Sequence, residues 1–327
     1  MGFSEIVGQK PLIGEIKKQL EKEVLSHAYL IEGDEGLDPQ GFARVFAKAV
    51  FCRGPKEQRP CGTCGPCKKM ESGNHEDFIT YSEERIKVDE IRALEKDLYI
   101  KPYGGGKKIY VIDHGEGITL QGQNALLKTL EEPPGFGMIL LITNRREALL
   151  PTIQSRCQHM TLKPASEKEL VKALEDRGFP HGDAQKASRI ARGRIKTALS
   201  YLGDEDLSHR KEQLFRILGG LRDRDLIEQM QGLETLVTEK EECAVFFLQA
   251  REYFRDLLVF HETGMEEILF YPDEAPAYRR LAGEVDRSQI EKALEESMGM
   301  ERMLEANVQL KALLEMFIMN THRILKD

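Results

Sequence analysis

Apolar positions along this chain follow two patterns, and the change from one to the other comes near Pro164. In the first half, short unbroken apolar runs alternate with stretches of helical spacing. Leu12, Ile13, Ile16, Leu20 and Val24 recur every three or four positions among charged residues and predict an amphipathic helix. The run Ala28-Tyr29-Leu30-Ile31 follows and ends at Gly33. Residues 38–50 predict a helix, with Pro39 tolerated in its first turn. Residues 78–81 predict a strand, and Val88, Ile91, Leu94 and Leu98 a further helical face. Two more unbroken runs, 109–112 and 138–142, flank a helix expected over 119–132, and a last short strand is expected at 160–162. Unbroken rather than alternating runs imply strands buried on both faces, hence a parallel sheet covered by helices. Beyond Pro164 the strand signals nearly vanish. Residues 166–201 predict a small helical unit, and the pattern from 208 onward is helical, interrupted by a loop over 264–276.

Composition narrows the class. The 327 residues allow two or three domains, and 31% charged with 41% hydrophobic residues is ordinary for a globular protein. A net charge of −8 is the wrong sign for a chain that grips nucleic acid alone, so such binding is expected to be shared with partners or met by a local surface. Residues 1–10 hold no apolar stretch of signal-peptide length and no run approaches 18 apolar residues, so a cytoplasmic location away from membranes is expected.

Four of the six cysteines lie within sixteen residues, spaced Cys52-x8-Cys61-x2-Cys64-x2-Cys67. In a reducing compartment such clustering reads as a metal site rather than a disulfide framework. Four thiolates can close a tetrahedral shell around zinc and leave no position for water, which makes the role structural. Cys61, Cys64 and Cys67 also match three positions of a ferredoxin-type run, but the fourth cysteine, followed by proline, is missing; zinc is preferred over an iron–sulfur cluster. His75 is a spare candidate ligand. Gly104-Gly105-Gly106 reads as a flexible turn that could let backbone approach a partner.

The turn after residue 31 reads Gly33-Asp34-Glu35-Gly36-Leu37-Asp38-Pro39-Gln40. Laid over the phosphate-loop pattern G-x-x-x-x-G-K-[ST], the second glycine is Asp38, the lysine is Pro39 and the hydroxyl residue is Gln40. Asp38 sets a negative charge where phosphates sit, and Pro39 has no N–H to offer. The strand at 109–112 ends in Asp113, as a Walker B strand does, but His114 stands where a water-activating glutamate is usual. Neither half of a nucleotide-hydrolysing site is intact.

Asn124-Ala125-Leu126-Leu127-Lys128-Thr129-Leu130-Glu131-Glu132-Pro133-Pro134 resembles a signature of the bacterial clamp-loader ATPases. It is followed by Thr143-Asn144, where that family carries its first sensor, and by Ser155-Arg156-Cys157, its arginine-finger triplet. Residues 72–77 look like the same family, and Asn307-Val308-Gln309-Leu310 is more loosely similar to its collar signature. The resemblance is dense from 2 to about 162 and thin beyond. The loss of the phosphate-loop groups points away from the gamma/tau motor and toward the family's delta-prime branch.

The resemblance implies an AAA+ α/β domain over 1–165, with the four-cysteine loop inserted at 52–67. A helical lid over 166–205 and an all-α collar over 206–327 would follow. It implies a non-motor subunit without bound ATP, which meets gamma/tau and delta subunits, the sliding clamp and primed DNA. Arg156 would act in trans on a neighbour's nucleotide. Gly193-Arg194-Ile195-Lys196 falls at the second-sensor position, with no phosphate for the arginine to sense. Two alternatives from other classes are an active gamma/tau-like ATPase and a stand-alone zinc DNA-binding protein.

Overall fold

The computed structural model describes residues 2–203, 205–305 and 309–326. Within it the chain forms two compact units, 1–199 and 200–327.

The first unit is built on five parallel strands: β1 (Ala28–Glu32), β2 (Phe78–Tyr81), β3 (Lys108–Ile112), β4 (Gly137–Thr143) and β5 (Gln158–Thr161), in the order β2-β3-β4-β1-β5. Helices α1 (Lys10–Lys22), α2 (Pro39–Phe51), α3 (Gly65–Glu71), α4 (Val88–Leu98), α5 (Leu120–Glu131) and α6 (Pro151–Gln154) lie between and before the strands. The unbroken apolar runs have the explanation their pattern implied. Tyr29, Ile31, Ile109, Val111, Leu140 and Ile142 enter one core with Ile16, Leu20, Phe42 and Phe46 of α1 and α2. Their sequence neighbours Ala28, Leu30, Tyr110, Ile112, Ile139 and Leu141 enter another with Ile91, Leu94, Leu126, Leu130 and Ile153. Each strand alternates its side chains between faces, and along β1, β3 and β4 both faces are covered.

Three details depart from expectation. Helix α1 stops at Lys22, because Glu23 turns left-handed (φ 57°), and Val24 is 63% exposed rather than on the buried stripe. The cysteine loop is not irregular throughout. It winds into α3, where Pro66 sets the first turn and Cys67 and Met70, three residues apart, share a buried face. The last strand begins at Gln158, two residues early, on the sheet edge beside β1.

Helices α7 (Glu167–Glu175), α8 (His181–Ala191) and α9 (Ile195–Gly203) follow, and the division between units falls inside α9. The second unit is helical: α10 (Glu205–Leu218), α11 (Leu226–Leu236), α12 (Lys240–Thr263), α13 (Ala275–Ala282), α14 (Arg287–Glu305) and α15 (Leu310–Lys326). Phe246 and Phe247 of α12 meet Phe317 of α15 edge-to-face at 5.4 and 5.5 Å. Of the apolar positions on the last two helices, Ile290, Leu304, Leu314 and Phe317 are buried in this unit's own interior, while Met298 is 45% exposed. The expected loop at 264–276 ends at α13, two residues early. Asn307 and Val308 lie outside the described residues.

Candidate functional site

The carboxyl ends of β1, β3 and β4 meet where β1 is flanked by β4 and β5, the position at which open α/β sheets usually bind ligands. Of the residues expected to be altered there, Asp38, Gln40 and His114 have definite hydrogen-bond partners. Asp38 sits left-handed (φ 59°) before α2, and its carboxylate accepts the Gly41 N–H at 3.1 Å. A helix N-terminus is an anion site, and here the chain's own carboxylate occupies it. Pro39 is the first residue of α2 and is buried. Gln40 Nε2 donates to Asp113 Oδ2 at 3.0 Å, so the position that would hold a magnesium-binding hydroxyl makes a direct bond to the strand-end aspartate. Gly33 donates to the Thr143 carbonyl at 3.0 Å. His114 is left-handed (φ 53°), and its N–H caps the Asp113 carboxylate at 3.0 Å. The Thr143 hydroxyl donates to Glu116 at 2.7 Å rather than opening into the crevice.

The loop is also closed by the helices after β5. Arg194 Nε donates to both oxygens of Asp34, at 3.0 and 2.9 Å, and Lys196 reaches Glu35 at 2.6 Å. A Cβ at Gly36 would stand 2.5 Å from the Thr197 hydroxyl and 2.9 Å from Arg194 Cδ, so this glycine is required by close approach. The space left among Gly33, Glu35, Pro39, Gln40, Asp113, His114 and Thr143 is about 50 Å³. Ligand pockets generally run from about 300 to 1,000 Å³. The pairing of Asp34 with Arg194 was not legible in the sequence, because the partners stand 160 positions apart.

Arg156 does not line this space. It follows α6 and is about one-third exposed; one guanidinium nitrogen donates to Glu131 at 2.6 Å and the other to the Thr152 carbonyl at 2.9 Å. Ser155 is exposed and donates to the same carbonyl at 3.1 Å. Cys157 is buried, and burial pushes its thiol up to about 12. Of this triplet only Arg156 presents charge to solvent.

The four clustered cysteines do converge: their sulfurs all lie within 4.8 Å of one another, with Cys52 and Cys64 at 3.9 Å. The N–H groups of Gly54 and Cys61 both donate to Cys52 Sγ at 3.3 Å, a pattern that stabilises a thiolate. The Thr63 hydroxyl, helped by the Cys64 and Thr63 amides, brings Cys61 down to about 5. Burial carries Cys67 up to about 12, the direction a cation between the sulfurs would reverse. His75 stacks on Phe51 at 3.9 Å and stands outside the sulfur cluster.

Residues 8–166 match the family model described as DNA polymerase III, delta subunit. A DNA polymerase III subunit tau/gamma from Haemophilus influenzae is 37% identical over 205 residues, 61% of this chain and 30% of that protein. The delta' subunit from Bacillus subtilis is 27% identical over 315 residues, 92% of each chain. The delta' subunit from Pseudomonas aeruginosa is 34% identical over 159 residues, 46% of this chain and 48% of that one. The chain thus spans about a third of the tau/gamma relative's length and most of the Bacillus delta' subunit's. In fold it is similar to a DNA polymerase III gamma subunit-related protein from Thermotoga maritima, at a TM-score of 0.55 and 19% identity over 96% of this chain and 99% of that one. The AAA+-type parallel sheet with a helical C-terminal region is therefore present as expected. The match runs through the crevice loop, the Asp113 strand and the Arg156 turn, and a delta' subunit matches over nine-tenths of both chains, so this chain is similar to DNA polymerase III subunits of the tau/gamma and delta' kinds.

Proposed function

We propose that this chain is the delta-prime subunit of a cytoplasmic DNA polymerase III clamp loader, without ATPase activity of its own, and that it completes a neighbour's nucleotide site with Arg156. The observation that carries this reading is the closed crevice. Asp38 occupies the helix N-terminus, Gln40 bonds Asp113 directly, and about 50 Å³ remains. An active gamma/tau-like ATPase is disfavoured because the lysine and hydroxyl of a phosphate loop have no counterpart here. The end-to-end match with a delta' subunit points the same way.

Arg156 suits a trans role. Its pair with Glu131 lies at the surface, and exposed ion pairs contribute only about 0–1 kcal/mol. A phosphate with growing negative charge outcompetes a single screened carboxylate, and the planar guanidinium can fork two of its oxygens. The partners on this reading are gamma/tau and delta subunits in a ring, the sliding clamp, and primed DNA held through the assembly. The division into an AAA+ domain over 1–165, a lid over 166–205 and a collar over 206–327 belongs to the same reading.

Cys52, Cys61, Cys64 and Cys67 would hold one zinc ion, which closes the loop 52–67 as a structural cross-link. A tetrahedral ion with Zn–S bonds of about 2.3 Å sets its sulfurs about 3.8 Å apart, close to the spacing found. An iron–sulfur cluster places its own iron and sulfide atoms between the cysteines and would hold them further apart.

The test is Arg156→Ala in a reconstituted loader. The variant subunit should fold and assemble, and clamp- and DNA-stimulated ATP hydrolysis should fall steeply. A trans arginine contributes roughly 10³–10⁵ in rate elsewhere, an upper limit for one of several sites. Arg156→Lys should be rescued only in part, because lysine keeps the charge and loses the fork. Normal turnover by the Arg156→Ala loader would remove the trans-finger role.

A further inference from the structure

A second concave site lies beside the cysteine loop, lined by residues that end or follow α2 and precede β2 and β3. It measures about 460 Å³ and is lined by Phe51, Cys52, Arg53, Arg59, His75, Asp77, Gly104–Gly106 and Lys107, among others. Its cationic side chains outnumber its carboxylates. Arg53 donates to the Gly104 carbonyl (3.5 Å), Arg59 to the Gly54 carbonyl (3.0 Å) and Lys107 to the Gly135 carbonyl (2.9 Å). None of the three has a carboxylate at ion-pair distance among the described residues. The one acid in the lining, Asp77, is buried and its two oxygens accept the Tyr103 and Gly104 amides at 2.8 and 2.9 Å, so it is turned into the turn and away from the cations. Burial holds Lys107 below the usual lysine range and His75 below the usual histidine range. An anion in the cavity would relieve the first.

A second feature adjoins the lining in sequence. Tyr103, which leads into the triple glycine, donates its backbone N–H to Asp77 of the lining, and its ring is 84% exposed. Gly104, Gly105 and Gly106 carry no side chains, so this part of the cavity wall is open backbone. Cations that track a phosphate, next to a bare aromatic ring that can take a base, are the recognition elements of single-stranded nucleic acid. An acidic peptide would satisfy the cations and leave Tyr103 without a partner. For a chain of net charge −8, such a local cluster is also where a polyanion meets least repulsion.

We propose that this cavity binds a phosphodiester of single-stranded nucleic acid, with Arg53, Arg59 and Lys107 around the phosphate and Tyr103 stacked on an adjacent base. The site is separate from the nucleotide crevice and rests on neither Arg156 nor the partner subunits.

The experiment uses the full chain, as purified with its metal, and a fluorescent twelve-residue oligothymidylate followed by anisotropy at several salt concentrations. Three phosphate-facing cations should give a slope of log affinity against log salt near −2, at about 0.7 per contact. Arg53→Ala should weaken binding and flatten that slope by about 0.7. Tyr103→Ala should weaken binding about 5- to 150-fold and leave the slope unchanged, since a stacked ring releases no counterions. Both side chains are exposed, and unchanged metal content and melting temperature would establish that the variants fold. Absence of oligonucleotide binding at low salt would overturn the proposal. So would binding indifferent to both substitutions, equal competition by inorganic pyrophosphate with no Tyr103 effect, or tighter binding of a glutamate-rich peptide than of the oligonucleotide.

Discussion

Asp38 and Gln40 each make one contact where a nucleotide and its metal would otherwise bind. The Asp38 carboxylate accepts an amide at the start of α2, and the Gln40 amide bonds Asp113, which is 6% exposed. Removing both partners of a buried polar contact is cheap, but leaving one unpaired costs about 1–3 kcal/mol. Losing a phosphate loop therefore required substitutes, and these residues provide them. The sequence alone reveals which groups the loop lacks. It does not reveal that Arg194 and Lys196 close over Asp34 and Glu35, because that depends on how the helices after β5 pack. Magnesium-ATP at 1 mM should accordingly leave the melting temperature unchanged. A site with a Kd near 10 µM would instead stabilise the fold by about 2.7 kcal/mol at that concentration. A clear upward shift, removed by substitutions within 33–40, would show that the crevice opens to nucleotide.

At the scale of elements, the strands were the most legible part. Their unbroken apolar runs can be satisfied only between two helical layers, and the register alternates residues between the two cores as that requires. Helix α3 was not legible. Its seven residues offer one glycine, one proline, one buried cysteine and one buried methionine, too few apolar positions to establish a period. What fixes α3 is tertiary. Met70 enters the core with α2, Arg44 donates to the Met70 carbonyl at 2.6 Å, and the buried Lys48 pairs with Glu71 at 2.8 Å. Zinc at the four cysteines would tie the same helix from its other end. Purified protein should carry one zinc per chain, and Cys67→Ser should abolish it. Structural zinc contributes apparent free energies of about 10–16 kcal/mol in isolated peptides, and a loop anchored on a formed sheet should need less. Chelation should therefore lower the melting temperature and expose 52–71 to protease while the sheet persists. Iron with visible absorbance in elemental and optical analysis would replace zinc with a cluster, and a metal-free protein of unchanged stability would end the metal reading.

At the scale of the whole molecule, the fading of strand signals after Pro164 announced a change of architecture, and the helical second unit bears that out. The position of the division was less legible, since helical periodicity continues through it and the break falls inside α9 rather than at a glycine- or proline-rich linker. The second unit has an interior of its own. Phe215, Phe246, Phe247, Tyr253, Phe254, Tyr278 and Phe317 are fully buried, and Asp256, held high by burial, is satisfied by the Tyr271 amide at 2.8 Å and by Arg255 at 2.7 Å. Aromatic burial on that scale is a core rather than an ornament to another domain. Not all apolar surface is consumed by it: Met298, Met319 and Val245 are about half exposed, on α14, α15 and α12. Adaptable methionine side chains on helical surfaces suit contact with other helices. A chain ending at residue 199 should therefore keep its sheet and its zinc, melt cooperatively, and fail to join gamma/tau and delta subunits on size exclusion. The fragment 200–327 should be helical and should compete with the full chain for that assembly. Normal incorporation of the shortened chain would move the assembly surface into the first unit and remove the collar role from the second.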